Sequence, residues 1–254
     1  MTISGARHFY PLVLFCAVTA ARADEASDIA RIHREAIGGS VRIAALTAVR
    51  MTGTIVIRER HVPFTMLAAR PNRVRLQTED NGHVLIAVSD GREPPWEYDS
   101  GSPPPRYRTM SETAAKSFTA DAEFDDPLVG GSARGFTLEF AGMAISDGGR
   151  QLRILVTKNL SETFSLLIDE ETYCILKRVD ERVHPDGRKR LTITRYEDFR
   201  PVEEVLMPHK ITLIIDGRVE QQMIIRDIEA NPVLAPETFA VPKGESIAPG
   251  VANP

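Results

Sequence analysis

The sequence predicts a mainly β protein of the α+β class, built around a single large curved antiparallel sheet. From residue 49 onward, apolar and polar residues alternate with a period of two, which is typical of strands with one buried face. Nearly every alternating run ends in a short turn signal, and short connections join antiparallel neighbours. There are about ten such runs, and a sheet of that size must curl. Strands and helices do not alternate along the chain, which argues against a parallel α/β fold.

Helices are predicted at two places that interrupt this sheet, residues 25–37 and 111–122. In the first, isoleucines and alanines recur on one helical face, and the glycine pair at 38–39 ends the helix. A second short helix is expected directly after it, with Ser40 as its N-terminal cap. The segment 111–122 has few large apolar residues, so only a weakly amphipathic helix is expected there.

The strands are predicted from alternation and from the turns between them. The first contains Met51 and Ile55, which alternate with polar residues. Further strands are expected at residues 62–69, 73–79, 83–89, 172–183, 189–199, 206–215 and 219–228, and in alternating runs that begin at residue 136. Several of them are apolar on more than one face, so they are either buried on both sides or line an apolar cavity. A closed barrel with a packed interior fits the same pattern.

The first 23 residues have the features of a secretory signal peptide. A basic start with Arg7 is followed by an apolar run at 9–18 and by small residues at Ala21 and Ala23. That run is too short to span a bilayer as a helix. We therefore expect residues 1–23 to be a signal peptide cleaved after Ala23, and residues 24–254 to form one domain.

The composition and motifs of the remaining chain argue against several classes of protein. Cleavage leaves 29 basic and 35 acidic side chains, a net charge of −6, which disfavours nucleic acid as a partner. Cys174 is then the only cysteine, so no disulfide can form within the chain, and its apolar neighbours indicate a packing role. The histidines lack metal-ligand spacing, and no phosphate-binding or dinucleotide-binding glycine pattern occurs. We expect no cofactor, no metal and no enzymatic activity.

Residues 70–99 contain three short motifs in a distinctive order. These are Arg70-Pro71-Asn72, Ser89-Asp90-Gly91 and Trp96-Glu97-Tyr98. With flanking stretches at 35–53, 206–217 and 231–242, they resemble the LolA/LolB superfamily of periplasmic lipoprotein carriers and sorting proteins. The chain departs from the carrier in its Pro94-Pro95 turn, in its triple-proline loop and in its greater length.

This resemblance implies both a fold and a function. The fold would be an unclosed half-barrel whose concave face is covered by helices. The function would be that of a monomeric periplasmic carrier or chaperone, with an acylated lipoprotein or another lipid as its cargo. An inner-membrane transporter would load the carrier and an outer-membrane acceptor would unload it. The alternative is an envelope-stress sensor or a protein-interaction module with the same fold.

The resemblance also implies a latch and a lining. Arg70 matches the arginine that holds the lid of the carrier closed, and a guanidinium has five donors suited to the free carbonyls of a helix end. The candidates for an apolar lining are large side chains on alternating strand positions: Met51, Ile55, Phe64, Met66, Val74, Leu76, Leu85, Trp96 and Tyr98. Each of them also fits an ordinary core position.

Overall fold

The computed structural model describes residues 12–102, 106–121, 123–146, 148–159, 162–184, 186–242, 245 and 247–248. Within these residues the helices are α1 (Leu12–Ala36), α2 (Ser40–Ala45) and α3 (Glu112–Asp121). The strands are β1 (Ala48–Ile57), β2 (Arg60–Ala69), β3 (Arg73–Asp80), β4 (His83–Ser89), β5 (Trp96–Asp99), β6 (Arg106–Thr109), β7 (Phe136–Ser146), β8 (Gly149–Lys158), β9 (Glu162–Asp169), β10 (Ile175–Val183), β11 (Lys189–Val202), β12 (Val205–Ile215), β13 (Arg218–Ala230) and β14 (Ile247–Ala248).

All of these strands form one curved, unclosed sheet. Their order is β14-β6-β5-β4-β3-β2-β1-β13-β12-β11-β10-β9-β8-β7, so β14 and β7 are its two edges. Every pair is antiparallel except β14 with β6. The predicted mainly β, unclosed half-barrel is thus confirmed. The predicted number of strands was too low, because four-residue strands such as β5 and β6 are too short to show alternation.

The helices begin and end close to their predicted positions. Residues 25–36 lie within α1, and α3 lies within the predicted segment 111–122. Ser40 is the first residue of α2 and makes no side-chain hydrogen bond as a cap, so its predicted capping role was wrong. The chain reverses instead through the preceding glycines, of which Gly38 has φ 136°. A Cβ atom there would lie 2.6 Å from the Glu204 carbonyl oxygen, which only glycine avoids.

The two faces of the sheet are covered by different parts of the chain. We call the inner face the one on which α1 and α2 pack. There, Ala26, Ile29 and Ala30 of α1 contact an apolar cluster on β7–β10, and α2 packs on a second cluster on β1, β2 and β13. The opposite, outer face carries a smaller cluster on β1, β2 and β4–β6, which Phe239 from the segment after β13 covers.

The N-terminal prediction lies partly outside the described residues. Residues 1–11 of the expected signal peptide are not among them, and residues 12–23 continue α1. Cleavage after Ala23 stays a prediction. No helix in the described part of the chain is both long enough and apolar enough to cross a bilayer.

Candidate ligand-binding face and its cover

Seven of the nine candidate lining residues lie on the inner face. Directly opposed residues of antiparallel strands share a face, so the register of the sheet fixes their placement. Met51 lies opposite Met66, and Met66 lies opposite Leu76. The seven are Met51, Ile55, Phe64, Met66, Val74, Leu76 and Leu85. The structure thus brings them together on one apolar surface of β1–β4.

Trp96 and Tyr98 lie on the outer face. Their neighbours in β4 are Val88 and Ile86, whereas the inner-face residue Leu85 lies opposite Asp99. The Tyr107 ring packs against both, with centroids 5.5 Å from Trp96 and 4.8 Å from Tyr98. The sequence gives no signal for this change of face, because Pro94-Pro95 breaks the alternation between β4 and β5. Both residues therefore lie outside the proposed binding surface.

The inner face is occupied by the protein's own apolar side chains. Ile43 of α2 and Leu46, which directly follows α2, belong to the same cluster as Met51, and Phe124 and Val129 pack against it. We call residues 40–46 and 123–131 together the cover. Because the cover buries the apolar surface of β1 and β2, a ligand can reach that part of the inner face only if the cover moves, whereas Leu85 of β4 is 49% exposed.

Arg70 joins the two parts of the cover. Its Nε and Nη2 atoms donate to the two carboxylate oxygens of Asp125 at 2.8 and 2.5 Å. Nη2 also donates to the Ile43 carbonyl at 2.8 Å, and Nη1 donates to the Leu46 carbonyl at the end of α2. Its guanidinium carbon lies 4.9 Å from the centre of the Phe124 ring. One side chain therefore satisfies a helix end, pairs with a carboxylate and contacts an aromatic ring.

Three carboxylates of the cover, at residues 123–126, each meet a cation from a different part of the fold. We call this stretch the acidic segment. Glu123 pairs with Lys158 and, at 3.4 Å, with Arg134. Asp126 accepts a hydrogen bond from His33 at 3.1 Å, in addition to the Asp125 pair with Arg70. Contacts with α1, with the turn before β3, with the end of β8 and with the turn before β7 therefore hold the acidic segment in place.

His33 is the most deeply buried of these cations, with its side chain 3% exposed. Its Nδ1 atom lies 2.7 Å from the Tyr173 carbonyl oxygen, and its Nε2 atom faces Asp126. Both partners are acceptors, so both ring nitrogens must carry a proton for both bonds to form. Burial lowers the pKa of His33, but the Asp126 carboxylate and the Tyr173 carbonyl together more than offset this effect, and the net pKa is raised above 6.5. The protonated imidazolium therefore links α1 to the cover.

A further arginine, which the sequence analysis did not single out, holds α3. Arg178 donates from Nη1 to the Ala120 carbonyl near the end of α3 at 3.0 Å, and it lies 4.0 Å from the centre of the Phe164 ring. Asp180 accepts hydrogen bonds from Arg178 at 3.1 Å and from Arg182 at 3.0 Å. The sequence signal was the charged run within a strand, residues 177–183, whose residues 178, 180 and 182 share one face.

The described residues offer little to a metal ion or a reactive thiol. No group of three or more histidine, cysteine or acidic side chains in that part of the chain is arranged to hold a metal. Cys174 is buried, and burial raises the pKa of its thiol. A buried thiol with a raised pKa is a poor nucleophile, in agreement with the predicted packing role.

Several solved structures share this fold at low sequence identity. One, described as an outer membrane lipoprotein-sorting protein domain from Vibrio parahaemolyticus, is 10% identical, with 86% of this chain and 97% of that chain aligned at a TM-score of 0.58. A DUF1329 family protein from Desulfovibrio piger gives the same four values. A LolA superfamily protein from Nitrosomonas europaea is 14% identical, with 88% and 97% of the two chains aligned at a TM-score of 0.51. The chain therefore has the LolA-like fold that the sequence resemblance implied.

Comparisons of sequence alone give nothing comparable. No protein-family model matches the chain, and no curated protein matches it either.

Proposed function

We propose that this protein is a periplasmic carrier that binds the acyl chains of a lipoprotein or another lipid on its inner face and moves them toward the outer membrane. One observation carries the proposal: the apolar inner face of β1 and β2 is closed by a cover that polar contacts hold in place. A carrier of acyl chains needs such a face, and it needs a cover that shields the face when no cargo is bound.

The energetics of acyl-chain binding favour this interpretation. A buried methylene contributes about 0.8 kcal/mol, so a chain of a dozen methylenes gains on the order of 10 kcal/mol. The cargo would replace the cover's own contacts on the inner face, such as those of Phe124 and Leu46. Because acyl chains would replace the apolar side chains of the cover, the inner face would stay out of water in both states.

The remaining parts of the proposal follow from the expected signal peptide and from the fold. Export and cleavage after Ala23 would place residues 24–254 in the periplasm as a monomer. An inner-membrane transporter would supply the acylated cargo, and an outer-membrane acceptor would receive it. No step requires a cofactor or a catalytic group, and we propose none.

The first experiment is to identify what the protein carries. The chain is expressed from Met1, purified from the periplasmic fraction without detergent, and examined by native mass spectrometry and lipid extraction. A bound acylated molecule supports the carrier. A protein that is empty and also fails to bind a fluorescent fatty acid would contradict it. Capture of one membrane protein without lipid would favour the alternative, an envelope-stress sensor or protein-interaction module.

Leu85→Gln is expected to weaken the binding of a fluorescent fatty acid about tenfold with little loss of stability. Leu85 lies on the inner face but is 49% exposed, so its replacement disturbs little packing. Burial of one leucine side chain by a ligand is worth about 1.5–3 kcal/mol, and 1.4 kcal/mol is a factor of ten in affinity.

Leu191→Gln is the matched control for this measurement. Leu191 is 45% exposed, but it lies on the outer face of β11, since its neighbour Thr192 shares a face with Tyr196 and Ile211. Fluorescence titration should give the wild-type affinity for this variant. Equal losses in the two variants would mean that the ligand does not use the inner face.

A further inference from the structure

The cover closes a charged cavity as well as an apolar face. This cavity, of about 340 Å³, lies between the turn before β3, the acidic segment and the end of β8. Three cations line it, Arg70, Arg134 and Lys158, together with two carboxylates, Glu123 and Asp125. Its wall therefore carries one more positive than negative charge, which favours an anionic occupant.

The charges of this cavity are only partly open to water. The side chains of Glu123 and Asp125 are 10% and 18% exposed, and those of Arg70 and Lys158 are 24% and 30% exposed. At such burial, water and salt screen charges less than they do at the surface. Loss of the carboxylates from this cavity would leave three neighbouring cations uncompensated, which is costly.

Both carboxylates of the cavity belong to the cover. When the cover moves to admit a ligand to the inner face, Glu123 and Asp125 move away from Arg70, Arg134 and Lys158. A neutral ligand would leave those cations unpaired, whereas a ligand with its own anionic group would replace the lost charges. Opening of the cover is therefore least costly for an anionic ligand.

The cavity also adjoins the apolar interior. Phe136 lines it and is at the same time 4% exposed within the inner-face cluster on β7–β10. The Arg134 guanidinium carbon and the Lys158 Nζ atom lie 5.1 and 5.6 Å from the centre of its ring. A polar head in the cavity would thus lie next to an apolar chain on the inner face.

We propose that this cavity binds the anionic headgroup of the cargo, a phosphate or a carboxylate, and that Glu123 and Asp125 occupy the same cations when no cargo is bound. In the protein without cargo, the carboxylates of the acidic segment thus take the place of the headgroup. The proposal rests on the proposed function, because it assigns the polar end of the same cargo.

The test compares dodecyl phosphate, dodecyl maltoside and inorganic phosphate as ligands of the purified protein, each below its micelle concentration where it has one. Isothermal titration calorimetry should give an affinity for dodecyl phosphate at least about tenfold higher than for dodecyl maltoside, since charge-assisted hydrogen bonds are made only to the phosphate. Lys158→Met should remove most of that preference, and Lys158→Arg should keep it. Lys189→Met, which removes an exposed lysine from the start of β11, should also keep it.

The outcomes separate this proposal from the proposed function. Equal affinities for the two dodecyl ligands would overturn the headgroup site and leave the carrier intact. Binding of neither dodecyl ligand would overturn the carrier and the headgroup site together. If inorganic phosphate bound as tightly as dodecyl phosphate, the cavity would be a site for a free anion, and the headgroup assignment would be wrong.

Discussion

Arg70→Leu is expected to tighten the binding of a neutral fluorescent lipid, which has no anionic group for the charged cavity, by at least about tenfold, while the free energy of unfolding falls by about 3 kcal/mol. The loss of stability follows because Asp125 and the carbonyls of α2 lose their donors within a partly buried site. The gain in affinity follows because the ligand no longer has to break these contacts in order to displace the cover.

Arg73→Leu is the matched control for Arg70. Arg73 starts β3 close to Arg70, but its guanidinium carbon lies 5.0 Å from the centre of the Phe239 ring, which is part of the outer-face cluster. Its replacement should leave the affinity for the neutral lipid at the wild-type value. Denaturant titration and fluorescence titration of both variants give the two quantities separately.

A double variant distinguishes a latch from a purely structural residue. In Arg70→Leu with Asp125→Leu, no carboxylate is left without its partner, so part of the lost stability should return. The affinity for the neutral lipid should remain raised, because the two parts of the cover still lack the link that Arg70 makes from the turn before β3. If Arg70→Leu lowers stability while affinity per folded molecule is unchanged, Arg70 is structural and the latch is wrong.

The sequence singled out Arg70 but not its carboxylate partner. The Arg-Pro-Asn motif is local and marks the start of a strand, so Arg70 could be singled out from the sequence alone. Asp125 lies 55 residues further along the chain, in an acid-rich stretch that resembles a solvated turn. Pairing of charges across such a distance leaves no periodic signal, because only the folded sheet brings the two segments together.

The sequence contained a signal for the role of His33. Ile29 and His33 are four residues apart, so they share one face of α1, and Ile37 follows at the same spacing directly after the helix; all three are buried. A histidine between two apolar residues on the buried face of a helix needs polar partners of its own. Those partners, Tyr173 and Asp126, come from distant loops. The sequence therefore indicates that His33 needs hydrogen-bond partners, but not which residues provide them.

The stability of the protein is expected to depend on pH through His33 and Asp126. The pKa of His33 is raised in the folded protein. Its contribution to the free energy of unfolding is therefore complete below pH 6.5 and is lost as the pH rises through the raised value. Burial raises the pKa of Asp126, but His33, the Leu128 N–H group and Arg134 together bring it below 3.8. Its contribution is therefore complete above pH 3.8 and is lost as the pH falls through the lowered value. The pair stabilises the cover most between these limits.

His33→Gln is expected to lower the free energy of unfolding by about 2 kcal/mol at pH 6, the usual contribution of hydrogen bonds to a charged group. Glutamine does not titrate, so the variant should also lose the fall in stability that the wild-type protein undergoes as the pH rises. The difference between the two proteins should therefore be smaller at pH 9 than at pH 6. Denaturant titrations at both pH values measure it, with His61→Gln, an exposed histidine of β2, as the control.

The pH dependence of stability also predicts how readily the cover opens at different pH values. Arg34 donates to the Leu128 carbonyl oxygen at 2.9 Å, and Arg134 donates to the Asp126 carbonyl oxygen at 2.9 Å, so both arginines hold the same loop at any ordinary pH. The imidazolium of His33 loses its proton as the pH rises, so alkaline solution should loosen the cover without releasing it. The wild-type protein should then bind the fatty acid more tightly at pH 9 than at pH 6, and His33→Gln should bind it with similar affinity at both. A constant difference in stability between the two proteins across this range would mean that the imidazole is neutral throughout and that Asp126 is held by the arginines alone.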